Sequence, residues 1–272
     1  HKGTACRSIQ IFMNDAMELS LILDALNGFA PLSCQESWDN SGLLYGNPEM
    51  EIKGVMIGFD CTDELIREAV SVGANLVITH HPLIFKGIRK VVPGDPVSDA
   101  LVAAIKNDVA VYAAHTSADK VMAGVSGAMG RAIGLENMTF LEGDGVSGLG
   151  VVGNLPKPLP VDSFIPLLKT AFGCKVLRCS KKLLSPVSRI ALCGGSGSSL
   201  IGAAMASGAQ VYVTGDLSYH DFYTPEGFMV ADIGHYEGEE AITEILFSVL
   251  KKNFPTFAIH IAKTKHNPVY YL

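Results

Sequence analysis

Positive charge is scarce in this chain. Its 21 lysines and arginines are outnumbered by 27 aspartates and glutamates, giving a formal net charge of −6. That balance argues against a protein whose main task is to grip phosphate backbones, so nucleic acid is a poor candidate partner. Long apolar runs are missing too. The hydrophobic stretches are of strand length and broken by Gly or charge, well short of the roughly 20 residues that span a bilayer, so no membrane segment is expected. The six cysteines, Cys6, Cys34, Cys61, Cys174, Cys179 and Cys193, form no CxxC pair and no framework spacing, which excludes a disulfide scaffold and fits free thiols in a reducing, cytoplasmic setting. Low-complexity segments are absent. What remains is an ordinary globular composition, with 48% hydrophobic and 18% charged residues over 272 positions, enough for one large or two small domains.

The opening HKGTACRSIQIF reads neither as a signal peptide nor as a regular element. Residues 1–16 are expected to be a remnant or a disordered start, with Met13 or Met17 as the natural first residue. Beyond them the chain echoes itself. GVMIGFDCTDELIREAVSVGANLVITHH from Gly54 aligns with RIALCGGSGSSLIGAAMASGAQVYVTGD from Arg189, placing Leu65 on Leu200, Ile66 on Ile201, Ala69 on Ala204, Gly73 on Gly208 and Thr79 on Thr214. Each half reads strand, turn, amphipathic helix, Gly-Ala turn, strand, which predicts two βαβ units with parallel strands and right-handed crossovers. VAVYAAHTSAD also meets MVADIGHYEGE, with His115 on His235 and Asp119 on Glu239. This offset is shorter, so the first half carries about 15 extra residues, which are placed in LIFKGIRKVVPGDPVSDA.

The fold expected is α/β, with two similar lobes related by internal duplication, a first at 17–140 and a second at 187–272. Residues 141–186 form a crossover between them. Within it SGLGVVGNLPKPLP reads as a strand and a Pro-rich turn, VDSFIPLLKTAFG as a short helix interrupted at Pro166, and CKVLRCS as a strand. Facing lobes bring the C-terminal ends of their strands to a shared cleft, where open α/β sheets place ligands.

Five of the eight histidines stand where β-type runs end in polar clusters: His80 and His81 in ITHHP, His115 in HTSAD, His220 in GDLSYH and His235 in GHYEGE. Neutral imidazoles with carboxylates suit zinc, iron or manganese. Adjacent strand residues point to opposite faces, so His80 and His81 share one centre only if the strand stops there; otherwise they serve two neighbouring ions. His235 and Glu239, four apart, share a helix face if the helix begins at His235. Asp119 adds a second carboxylate that makes a doubly charged dinuclear centre tolerable. Five ligands on two ions leave open positions for water, the mark of a catalytic site, so the pattern points to a metal-dependent hydrolase. His220, flanked by a tyrosine and an aspartate, is a weaker candidate.

CGGSGSS, with Gly194, Gly195, Ser196 and Gly197, leaves backbone amides uncovered ahead of a helix. This suits either an anion or a tight Ser-capped turn, and it lacks the Lys-Ser/Thr ending of a nucleotide P-loop. SWDNSGLLYG reads as a loop, with Trp38 as a core anchor and Asp39 and Asn40 as turn formers.

Taken in order, SWDNSGLLYG, ITHHPLIFKGI, HTSADKVMAGV, GGSGSS with VTGDLSYHD, and GHYEGE resemble the NIF-three-like family (NGG-one-interacting factor three; domain of unknown function thirty-four). Its bacterial members are catalogued as GTP cyclohydrolase 1 type 2 homologues. The resemblance implies a two-lobed α/β fold, a dinuclear centre between the lobes and a ring-shaped homohexamer. It implies metal ligands at His80, His81, Asp119, His235 and Glu239, with His115 and His220 lining the site as proton carriers. The family's usual Thr before the final Glu is Gly238 here, which leaves the ligands in place but alters a supporting contact. The catalogue name implies ring-opening hydrolysis of the guanine imidazole in GTP with loss of formate, the Gly-rich turn holding the triphosphate. A non-catalytic role in metal delivery or partner regulation is the alternative that the family's interacting-factor name implies.

Overall fold

The computed structural model describes residues 16–264 and 267–272, so the expectation for the opening segment falls almost wholly outside the described residues. It shows a mixed α/β protein with two main sheets. The first has five strands in the order Ile259–Ile261, Val55–Ile57, Leu76–Thr79, Ala110–Ala113, Gly42–Tyr45. All pair in parallel except Gly42–Tyr45, which runs antiparallel at the edge. The second has six strands in the order Glu136–Gly143, Gly148–Leu159, Val187–Ser196, Val211–Gly215, Met229–Asp232, Arg178–Cys179. Its middle three strands from Val187 to Asp232 are parallel and the others antiparallel.

The parallel strands Val55–Ile57, Leu76–Thr79, Ala110–Ala113, Val211–Gly215 and Met229–Asp232 are buried throughout, as strands covered on both faces must be. Alternation along them sorts side chains into layers. Val55, Ile57, Leu76, Ile78 and Tyr112 of one sheet, and Ile190, Leu192, Val211, Val213 and Ala231 of the other, join one central core with Leu26, Leu168 and Leu246 from helices. Met56, Val77 and Val111 turn outward onto Leu65, Ile66 and Ala69, while Ala191, Tyr212 and Val230 turn outward onto Leu200 and Ala204. The paired positions of the sequence echo thus occupy matching places in the two sheets.

The helix Asp63–Ser71 follows from local chemistry. The Thr62 hydroxyl caps it by accepting from the Leu65 amide, Asp63 and Glu64 lie in the positive first turn, and Gly73 at φ +78° ends it. Gly58 lets strand and helix approach closely, since a Cβ there would lie 2.5 Å from Leu65 Cδ2.

Several expectations need correction. The boundaries at 140 and 186 do not divide the sheets, because Gly148–Leu159 pairs with Val187–Ser196 inside the second sheet. Nor does 187–272 form one unit: its end, Ile259–Ile261, adds to the first sheet beside Val55–Ile57. A buried parallel strand cannot be left with a bare edge, so the chain returns to cover it. The Pro-rich turn is instead the end of a strand running through Leu159, with Pro156 and Pro158 exposed where pairing thins. CKVLRCS shrinks to the two-residue strand Arg178–Cys179.

The helix expected to break at Pro166 runs unbroken from Val161 to Phe172, held by burial of Val161, Phe164 and Leu168. Packing therefore carries a proline that costs about 3 kcal/mol in a helix interior. Replacing it with Ala recovers most of that cost, less the roughly 0.4–1 kcal/mol by which Pro restrains the unfolded chain. Pro166→Ala is expected to stabilise the protein by about 2 kcal/mol in denaturant titration; an unchanged or lower midpoint would contradict this.

Candidate metal centre

Four histidines reach one cluster from the C-terminal ends of parallel strands or the turns that follow. The strand Leu76–Thr79 stops just before His80, where the His80 and His81 amides both donate to the Phe59 carbonyl at 3.1 and 3.3 Å. That turn frees both rings from strand alternation, and their centroids lie 4.9 Å apart. The His115 ring stands 5.4 Å from His80 and 5.5 Å from His81. A helix does begin at His235, after Gly234 at φ +98°, and it sets His235 Nε2 3.0 Å from Glu239 Oε2.

One pattern unites the four rings. Each Nδ1 donates to a fixed acceptor: His80 to the Ala114 carbonyl (2.8 Å), His81 to Asp60 (2.7 Å), His115 to Asp39 (2.6 Å) and His235 to Asp216 (2.7 Å). With Nδ1 holding the proton, the neutral ring presents a lone pair at Nε2, the tautomer that outer carboxylates and carbonyls impose on metal-binding histidines. His80 Nε2 lies 3.6 Å from both Asp119 Oδ1 and Glu239 Oε1. Glu239 Oε2 lies 3.2 Å from His81 Nε2 and 3.0 Å from His235 Nε2. The two Glu239 oxygens therefore face different imidazole groups.

Three buried atoms of this cluster, His80 Nε2, Asp119 Oδ1 and Glu239 Oε2, lack a hydrogen-bond partner. Buried polar atoms are normally satisfied, so three orphans pointing together fit a cation held among them. His80, His81 and Glu239 alone place three donor atoms within 4.8 Å of one another, a group that could hold a metal ion. Without a metal, protons must screen the acids. Burial opposes charging His81, but Asp60 and Glu239 outweigh it and hold the imidazolium up to about 10; His235 is held at about 9 against burial by Glu239 and Asp216. Burial opposes ionising Glu239 too, yet His80 and its neighbours hold its carboxyl well below the usual range, whereas burial pushes Asp119 up to about 6 against the pull of His80.

The sequence-based candidates therefore divide. His80, His81, Asp119, His235, Glu239 and His115 are gathered. His220 is not: it is exposed on the short turn Tyr219–Phe222, and its ring contacts are Tyr219 and Tyr223 rather than any member of the cluster. The Gly-rich turn also differs from a phosphate cradle. A Cβ on Gly195, at φ +64°, would sit 2.1 Å from Glu239 Oε1, and one on Gly194 3.1 Å from Glu239 Cγ. A Cβ on Gly197 would strike Thr214 and Tyr212, while Ser196 is exposed and the helix beyond, Ile201–Ala206, has six residues. These glycines make room for a carboxylate, which would repel a phosphate.

Asp39, Asp60 and Asp216 were missed in this role. Asp39 had read as a turn former, yet it accepts from His115, Ser41 and Thr116, and despite burial those bonds hold its carboxyl well below the usual range. A short polar residue preceding Asn and Ser carries no signal that separates the two roles. Trp38, expected in the core, is 59% exposed beside Phe85 and His115.

Gly195→Ala is expected to displace Glu239 and weaken zinc binding by tenfold or more in calorimetric titration. Gly202→Ala, where a Cβ meets nothing within 4 Å, should leave it unchanged. Equal affinity in the two variants would contradict the role given to Gly195.

The family profile described as Duf34/NIF3 (NGG1p interacting factor 3) matches residues 17–268. A Clostridium perfringens protein named GTP cyclohydrolase 1 type 2 homolog is 34% identical over 228 residues, covering 82% of this chain and 87% of its own. A Streptococcus pneumoniae protein of the same name is 34% identical over 227 residues, covering 81% and 85%. Among solved structures, Staphylococcus aureus hypothetical protein SA1388 superposes with a TM-score of 0.86 at 26% identity, covering 94% of this chain and 99% of that one. Reduced HcgD from Methanocaldococcus jannaschii gives 0.78 at 28%, covering 92% and 99%. With nearly every described residue inside the matched region, the chain belongs to the Duf34/NIF3 family.

Proposed function

We propose that this protein is a dinuclear metal-dependent hydrolase acting on a nucleotide or related heterocycle. The observation that carries the reading is electrostatic. Asp39, Asp60, Asp119, Asp216 and Glu239 surround four imidazoles, and their side-chain bonds and ion pairs run to those imidazoles and to the Ser41 and Thr116 hydroxyls, with no lysine or arginine among the described partners. Asp39, Asp119 and Glu239 are largely buried while Asp60 and Asp216 stand at the more open edge, and buried acid without a lysine or arginine partner is costly unless protons or metal ions balance it. Two divalent cations would replace the positive charge that His81 and His235 carry in the absence of metal.

His80 and Asp119 with one Glu239 oxygen would hold the first ion, and His81 and His235 with the other oxygen the second. His115, oriented by Asp39 as the other rings are by their acceptors, joins the ligand set rather than acting as a free proton carrier. A divalent ion there supplies Lewis acidity and lowers the pKa of bound water. The chain's own contribution is to fix the Nδ1 proton of each ring, so that Nε2 is the atom that gives up its proton to a metal, and to keep Asp60 and Asp216 beside the cleft as acceptors. The matching parallel cores of the two sheets support descent from a duplicated unit with the site in the cleft between them. The family resemblance supports a toroidal homohexamer, and the free thiols among the described cysteines fit a reducing, cytoplasmic setting.

Elemental analysis of untagged protein should find metal at the cluster, and the double variant His81→Ala, Glu239→Ala should lose most of it while keeping its fold by circular dichroism; full retention would contradict the ligand assignment. Because His81 and His235 are protonated at neutral pH without metal and must deprotonate to ligate, zinc uptake by chelator-stripped protein at pH 7.5 should release protons. Titration in buffers of different ionisation enthalpy measures them, and zero release would contradict the assignment. Metal-loaded protein screened on nucleosides, nucleotides and free heterocycles should show hydrolysis. No turnover, with ions passing readily to an apo acceptor, would move the assignment to metal delivery.

A further inference from the structure

The open pocket next to the cluster, about 470 Å³, is lined by His81 and His235 and by the carboxylates Asp60, Asp216, Asp232 and Glu237, with Arg178 as the one fixed cation among the described residues. Arg178 is also a wall of a second pocket, about 520 Å³, whose other lining is Cys179, Tyr219, Phe222 and Tyr223. The two spaces thus meet at one guanidinium. Together they match the size of a nucleoside-scale ligand site.

Arg178 is held firmly from below. Its Nη2 donates to Asp232 and to the Leu217 carbonyl, and Cζ sits 5.2 Å from the centroid of the Phe222 ring. Asp232 is itself fixed, accepting from the Leu217 and Gly234 amides, so the guanidinium is tied to the turn that carries His235. Nη1 and Nε bond to no described residue, and the side chain is 57% exposed. Tyr219 and Tyr223, joined by a 2.9 Å hydroxyl contact, present large exposed faces beside it. The turn bearing them is stiffened by reciprocal Ser218–Asp221 capping.

We infer that the pocket of Arg178, Tyr219, Phe222 and Tyr223 binds the planar ring of the substrate, and that the substrate is a nucleobase or nucleoside rather than a nucleoside triphosphate. Aromatic faces take any flat heterocycle by stacking, and the free Arg178 donors meet its ring acceptors. Polyphosphate is disfavoured because, among the described residues, four carboxylates face a single guanidinium in the adjoining pocket, and because the Gly-rich turn is filled by Glu239. His220, stacked on Tyr223, supports this platform rather than the metal cluster.

The inference rests on the hydrolase reading for its reactive end, but ring binding does not need metal. Calorimetric titration of untagged protein with guanosine, adenosine and cytidine should show binding of at least one nucleoside, tighter than its triphosphate and not displaced by ribose 5-phosphate. Tyr223→Ala and Tyr219→Ala, both at exposed positions, should weaken it tenfold or more, and Tyr223→Phe should retain it. The metal-ligand double variant should still bind the nucleoside, which separates this test from that of the metal centre. Absence of nucleoside binding at millimolar concentration, a preference for the triphosphate, or unchanged affinity in both alanine variants would overturn the inference.

Discussion

Five carboxylates crowd around four imidazoles with no lysine or arginine paired to them among the described residues, and the local architecture follows from that excess of negative charge. Each ring is pinned at Nδ1, by Asp60, Asp39, Asp216 or the Ala114 carbonyl, so that Nε2 faces inward. Glu239 is pressed into place by glycines too small to touch it. Fixing ligand orientation before any ion arrives removes the entropy cost of ordering them and favours a defined geometry over general acid binding.

The fold delivers these groups from residues far apart in sequence. Parallel strands in each sheet end at His80 and His115 on one side, and near Asp216 and His235 on the other, so that side chains 154 positions apart, His81 and His235, come within 3.2 Å. The shared central core locks the sheets together, and the return of Ile259–Ile261 to the first sheet ties the end of the chain into the same body. A change in packing between the sheets would therefore be felt directly at the cluster.

The parts legible in the sequence are those with a local physical signature. His80 and His81 before Pro82 announced a strand that stops, and the spacing of His235 to Glu239 announced a shared helix face; both describe the structure. The β-branched runs around Gly-bounded helices announced parallel strands. What escaped depends on contacts distant in sequence. Asp39 bonds a ring 76 positions away, and nothing in SWDNSG marks it as anything but a turn. Pro166 read as a break because local preference cannot register the burial of Phe164 and Leu168. His220 looked like a member of the cluster because it follows a strand end as the other four histidines do, yet it lies out on the exposed turn Tyr219–Phe222. The boundaries at 140 and 186 failed for a similar reason, since strand pairing ignores chain order.

Anomalous diffraction at the absorption edge of the bound metal, from crystals of untagged protein, tests the central claim most directly. The account predicts two peaks in the cluster, each about 2.0–2.1 Å from its histidine Nε2 atoms, one beside His80 and Asp119 and one beside His81 and His235, with Glu239 between them. Metal bound elsewhere, or well-ordered side chains at this cluster with no anomalous signal in metal-replete protein, would contradict it.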